Sequence, residues 1–184
     1  MIVVVYAHPY PHVSRACAAL VKAVSGMPQL TVRSLYDLYP DFDIDPDAER
    51  AALEGARLVV FVHPIYWYSV PALLKHWFDQ VLAKGWAYAG GRSLAGKDCL
   101  WVATSSGDER DFVPAECQGH PFEAFVPLVE RTARFCGMTW LEPFIVPAAS
   151  RVADADLEAA GLRLRQRLDE WRSAAQDPGS APNA

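Results

Sequence analysis

"LVVFVHPIYWYSVPALLKHWFDQV", residues 58–81, joins an unbroken apolar run to an amphipathic one. Leu58 to Val62 is continuous in Leu, Val and Phe, the pattern of a strand covered on both faces. From Val70 the period changes. Val70, Leu73, Leu74, Trp77, Val81 and Leu82 fall on one helical face, with Lys75, Asp79 and Lys84 elsewhere. A buried strand feeding a helix is the repeating step of a sheet whose parallel strands are joined by helical crossovers. Between strand and helix stand three consecutive aromatics, Tyr66, Trp67 and Tyr68, with no carboxylate pair or metal-ligand cluster beside them.

The same alternation runs through the 184 residues. Ile2 to Ala7 is a Val-rich strand, and Ser14 opens a helix toward Ser25 that Gly26 and Pro28 end. A second strand covers about 30–35 and the third is Leu58 to Val62. After "AYAGGRSLAGK", Leu100 to Thr104 is the fourth, Glu123 to Cys136 a helix, and Thr139 to Val146 a last strand interrupted by Pro143. Ala155 to Ala174 closes the fold as a charged helix. Five strands alternating with helices predict an α/β, flavodoxin-like domain: a parallel sheet of order 2-1-3-4-5, with right-handed crossovers placing helices on both faces. One domain over residues 1–175 is expected, followed by a flexible, solvated tail over 176–184.

With 17 Lys and Arg against 22 Asp and Glu, the net charge of −5 lacks the basic excess of a nucleic-acid binder. The longest apolar run, Met1 to Ala7, is far short of the roughly 20 residues that cross a bilayer. No basic segment precedes it as in a secretory signal, so a cytoplasmic location is expected. The four cysteines, Cys17, Cys99, Cys117 and Cys136, form no C-x-x-C pair and are expected to be free thiols.

In such a sheet ligands bind beyond the carboxyl ends of the strands, at the loops after the first, third and fourth. The first loop, "AHPYPHVSRA", carries neither a Rossmann nor a P-loop glycine pattern. It ends in Ser14 and Arg15 at a helix start, where free N–H groups suit a phosphate and His8 and Ser14 add side-chain donors. By itself, this loop reads more simply as a Ser14 N-cap beside an ordinary loop histidine at His8. The third loop, "TSSGDERDF", places small residues and Gly107 where a backbone can approach a ligand. The middle loop offers amides over Ile65 to Tyr68 and the faces of Trp67 and Tyr68 to a planar ring. A phosphate at one end and a planar ring at the other describe FMN, which carries its own redox chemistry and needs no acid or metal from the protein.

"YAHPYPHVSRA", "SLYDLYPDFDID", "HPIYWYSVPALLKHWFDQVLAKGWAYA" and "FCGMTWLEPF" together resemble the flavodoxin-like NAD(P)H:quinone oxidoreductases, in order over about residues 1–172. Among them the closest resemblance is to the ancillary subunits of bacterial glutathione-regulated potassium-efflux systems. The resemblance implies an FMN-containing homodimer moving hydride from NAD(P)H to quinones by a ping-pong mechanism, at the cytoplasmic face of a potassium antiporter. Carried over by position, the flavin contacts fall on His8, on Ser14, Arg15, Ala16 and Cys17, on Ile65, Tyr66, Trp67 and Tyr68, and on Ser105, Ser106, Gly107 and Asp108. This chain has Tyr66 where relatives often have glutamine, and Ser105-Ser106 where they have a glycine pair. His120 in "QGHPF" matches a histidine near the flavin and is the candidate proton donor to the quinone, although Pro114 stands near the place of its tyrosine partner. The aromatic strip of Trp67, Tyr68 and "GWAYA" is expected at the two-fold interface.

Two features carry less than they suggest. "DFDIDPDAERAA" begins like an EF-hand loop but has Pro46 at the sharp turn and Ala52 in place of the bidentate glutamate. Asp45 is instead expected to cap a helix that begins at Pro46, with Asp47 and Glu49 favouring its dipole. His8 and His12 lack the third ligand a zinc site needs, and no metal is expected. A one-electron flavodoxin carrier would show a hydroxyl-rich phosphate loop and stronger acidity than −5.

Overall fold

A computed structural model describes residues 1–107 and 124–176. Its centre is β1 (Ile2–Tyr6), flanked in parallel by β2 (Leu30–Ser34) and β3 (Leu58–Pro64); β3 in turn pairs in parallel with β4 (Asp98–Thr104). β5 (Thr139–Trp140) and β6 (Phe144–Val146) lie one after the other along β4, opposite Asp98 and Cys99 and then Val102 to Thr104. The order is therefore β2-β1-β3-β4-β5, as the sequence predicts, with the fifth position split in two. The split falls over Leu141 to Pro143, since proline has no N–H for a ladder.

Every residue of β1 and β3 is buried, because each strand has a helix layer on either side. On one face Ile2, Val4, Val60, Leu100 and Val102 pack against α1 (Ala16–Val24) and α6 (Asp154–Gln176). These two helices cross closely: a Cβ on Gly161 would stand 2.8 Å from that of Ala23. On the other face Val3, Val5, Val59, Phe61 and Trp101 meet the short α2 (Leu35–Leu38), α3 (Pro46–Glu54), α4 (Ala72–Val81) and α5 (Pro127–Phe135).

Boundaries shift where proline or capping decides them. Val70 precedes Pro71, which disfavours helical geometry, so α4 starts at Ala72. α1 starts at Ala16 because Ser14 is extended, at the end of a 3-10 turn over Pro11–Val13. α5 begins at Pro127, later than expected; Glu123 itself and the 177–184 part of the expected tail lie outside the described residues. Asp45 caps α3, accepting from Asp47 N and Ala48 N at 3.0 Å each, with Pro46 first in the helix.

Glu49 does more than favour that dipole. Its carboxylate is buried and accepts from Arg33 Nε at 3.0 Å, Tyr39 Oη at 2.7 Å and Trp77 Nε1 at 2.9 Å. The charge is thereby paired and its lone pairs filled, the condition for burying a carboxylate.

Candidate functional site

Parallel pairing puts the carboxyl ends of β1, β3 and β4 at one edge, with Tyr6 level with Val62 and Pro64 level with Thr104. The first, second and third candidate loops leave from there.

In the first loop His8 Nδ1 accepts from Tyr10 N at 3.0 Å, so its ring proton sits on Nε2 as a donor. Burial holds the His8 pKa below the usual histidine value, keeping the ring neutral. Ser14 Oγ accepts from Ala18 N at 3.2 Å, so the hydroxyl caps the helix while its own proton stays free to donate. Capping and ligand binding are compatible at this residue. Among the described residues the N–H groups of Arg15, Ala16 and Cys17 find no acceptor, as expected of a first helical turn. Arg15's side chain departs from its expected place. Its guanidinium is turned away from the loop, donating to Val152 O at 2.9 Å and Ser150 O at 3.3 Å and pairing with Asp154 at 2.6 Å. Cys17 Sγ is buried 3.2 Å from Thr104 Oγ1, and burial pushes its thiol up to about 12, so it is a packing residue and not a nucleophile.

The second loop holds the most unusual backbone. Tyr66 N donates to Ser69 O at 3.1 Å and Ser69 N to Tyr66 O at 3.0 Å, closing a two-residue turn. Its central residues, Trp67 and Tyr68, have φ of 49° and 60°. Left-handed geometry at both positions is that of a type I′ turn, which favours Asn-Gly and not two bulky aromatics. The turn leaves the N–H groups of Trp67 and Tyr68 without acceptors among the described residues and 93% of Trp67 exposed. Tyr68 stacks on Phe125, ring centroids 5.6 Å apart, and Tyr66 meets the His8 ring edge-on at 6.2 Å. Ile65 N donates to Thr104 O at 2.8 Å, tying this loop to the end of β4.

In the third loop Ser105 is buried. Its Oγ donates to Gly107 O at 2.9 Å, and its N donates to Val146 O at 3.1 Å. Ala149 N and Ala148 N return to Ser105 O and Gly107 O at 2.8 and 2.7 Å. The N–H groups of Ser106 and Gly107 have no acceptor among the described residues. Asp108 and His120 lie outside the described residues.

The edge thus presents three groups of N–H donors without acceptors among the described residues, the exposed rings of Tyr66, Trp67 and Tyr68, and a neutral histidine. Such a surface suits an anionic tail and a flat polar ring, the two ends of a flavin mononucleotide. A further mark of an incomplete environment lies beneath the first loop, where the buried Tyr6 Oη finds no hydrogen-bond partner among the described residues. Burial pushes its pKa up to about 12. Phe125 and the 146–149 segment escape a sequence reading because each reaches the site through the fold and not through a motif.

Beside the second loop a groove of mixed character runs between α4 and α5, where Phe78, Leu82, Leu128 and Phe135 stand beside the Lys75–Asp79 ion pair. Phe135 is 70% exposed. In the "GWAYA" segment Ala87 is buried, Trp86 lies under Arg50 at 5.7 Å and Tyr88 reaches Phe135 at 5.2 Å.

This sheet, with its ligand edge, is that of the flavodoxin-like fold family (Flavodoxin_2), whose model matches residues 1–168, and the chain belongs to it. Over 175 residues it is 45% identical to the glutathione-regulated potassium-efflux system ancillary protein KefF of Salmonella arizonae, covering 95% of this chain and 98% of that one. The same-named protein of Klebsiella aerogenes is 46% identical over 178 residues, 96% of this chain and 99% of that one. Among solved structures, the general stress protein 14 of Treponema denticola in complex with FMN superposes with a TM-score of 0.86 at 29% identity, covering 92% of this chain and 98% of that one.

Proposed function

We propose that this chain binds FMN across the three loops and uses it to pass two electrons, as hydride, from NAD(P)H to quinones in a ping-pong cycle. The observation that carries this is the Tyr66–Ser69 turn, in which left-handed backbone at Trp67 and Tyr68 holds two amides and two rings outward at the mouth of a flavodoxin-like sheet. The bound FMN of the Treponema relative supports the cofactor.

Bound FMN supplies the two-electron redox chemistry. The protein's part is recognition and electrostatics. The amides of Arg15 to Cys17, the Ser14 hydroxyl and His8 Nε2–H hold the phosphate. The amides of Trp67 and Tyr68 stabilise negative charge at the ring, and those of Ser106 and Gly107 face its other end. In this reading Asp108 is a further flavin contact, and His120 delivers the proton to the quinone oxygen. The α4–α5 groove, continuous with the second loop through Ser69 and Val70, is the proposed homodimer interface, so that both subunits wall each pocket.

The test is direct. Purified protein should take up FMN at one per chain and oxidise NAD(P)H only when a quinone is present, with parallel double-reciprocal lines as either substrate is varied. A chain that binds FMN but passes no electrons to quinones would overturn the enzymatic reading.

The names of the Salmonella and Klebsiella relatives favour a second, compatible role as ancillary subunit of a potassium-efflux antiporter. Co-expression with such an antiporter should raise glutathione-dependent potassium efflux. Unchanged efflux would leave the reductase reading alone.

A further inference from the structure

Arg15 stands at the start of α1, yet its guanidinium serves another segment. It donates to Val152 O and Ser150 O and pairs with Asp154, the first residue of α6. The segment it grips is itself closed on Ala148, whose O accepts from Arg151 N at 2.7 Å and Val152 N at 3.1 Å and whose φ is 52°. From there Ala148 N and Ala149 N reach Gly107 O and Ser105 O. One side chain therefore connects the first ligand loop to the third through a short series of hydrogen bonds.

We infer that the Arg15 side chain has a positioning role: it fixes the distance between the α1 amides and the Ser105–Gly107 loop through Asp154 and the 148–152 turn, its guanidinium not touching the ligand. The inference rests on the FMN reading, in which one rigid molecule spans both loops and their spacing must match its length. A guanidinium suits the task because its planar fork serves several acceptors at once. Lysine keeps the charge but cannot reproduce that geometry.

A double-mutant cycle tests it, with FMN dissociation constants read from quenching of flavin fluorescence in full-length Arg15→Gln, Asp154→Asn and the combined variant. Arg15 and Asp154 are 46% and 84% exposed, so each single substitution should weaken FMN binding only about threefold to tenfold. The double variant should be no weaker than Arg15→Gln, and Arg15→Lys should rescue only part of the loss. Weakened binding in Arg15→Gln with none in Asp154→Asn would overturn the inference and make the guanidinium a direct phosphate ligand. Unchanged dissociation constants in both, with a lowered melting temperature of the FMN-free protein, would overturn it in favour of a plain helix anchor. A wild-type chain that binds no FMN would instead overturn the cofactor reading, and this inference with it.

Discussion

Trp67 and Tyr68 each occupy backbone space that costs a bulky L-residue about 1–3 kcal/mol, and such residues persist where the strain serves a site. Replacing the pair by Asn-Gly supplies the residues this turn prefers. The FMN-free protein should gain about 1–2 kcal/mol and melt higher by about 2–4 °C per kcal/mol, while FMN binding weakens through loss of the rings. Calorimetry of the FMN-free variant and an FMN titration check both halves; a less stable variant would show that the turn is not strained. His63 gives a second prediction. It is fully buried, with Trp101 Nε1 donating to its Nε2 at 2.7 Å and its Nδ1–H donating to Pro64 O at 2.9 Å, so the ring is neutral. Burial lowers its pKa to about 4 from 6.5. The unfolded chain binds the proton first, so stability is intact above about pH 6.5 and falls by about 1.4 kcal/mol per unit as pH drops toward 4. Urea unfolding at pH 7, 6 and 5 should show this slope in the wild type and a shallower one in His63→Gln. The aromatic triplet is legible in the sequence, but its left-handed backbone is not, because turn type follows from the hydrogen bonds between Tyr66 and Ser69.

Helices α3 and α4 and strand β2 are joined at Glu49 through Arg33, Tyr39 and Trp77. Glu49→Gln keeps the volume and an acceptor for Trp77 but leaves Arg33 without its counterion. Breaking a fully buried pair costs about 3–5 kcal/mol, and since Arg33 keeps 22% exposure, a loss of about 2–3 kcal/mol is expected in urea unfolding. A loss below about 0.5 kcal/mol, typical of a surface substitution, would show that water replaces the partner. At this scale the period of the apolar residues was a sound guide: β1 and β3 are unbroken and buried, and the α4 stripe points into the core. Helix α2 was not legible, having a single turn held by the burial of Leu35. Nor was the Glu49 network, since Arg33 lies 16 residues away and only the β2–α3 connection brings them together.

For the molecule as a whole, the three loops meet because strand order brings β1, β3 and β4 side by side; the alternation of elements makes the sheet parallel, and the order is read from the pairing. The proposed dimer is tested at Phe135, which is 70% exposed and contributes little to its own core. Phe135→Glu should leave the melting temperature of the protomer nearly unchanged while light scattering at micromolar concentration shifts from twice the chain mass to once. A dimer that survives would place the two-fold elsewhere. The divided strand at the sheet's margin bears on how copies can meet at all. Pro143 offers no N–H, and the carbonyls of Glu142 and Pro143 are taken by Arg167 reaching across from α6. Among the described residues this margin therefore lacks the continuous row of free donors and acceptors on which a neighbouring chain would lay down another strand. Crowding many copies together in a cell should not draw them into ribbons by this border, leaving side-chain surfaces as the means of association there.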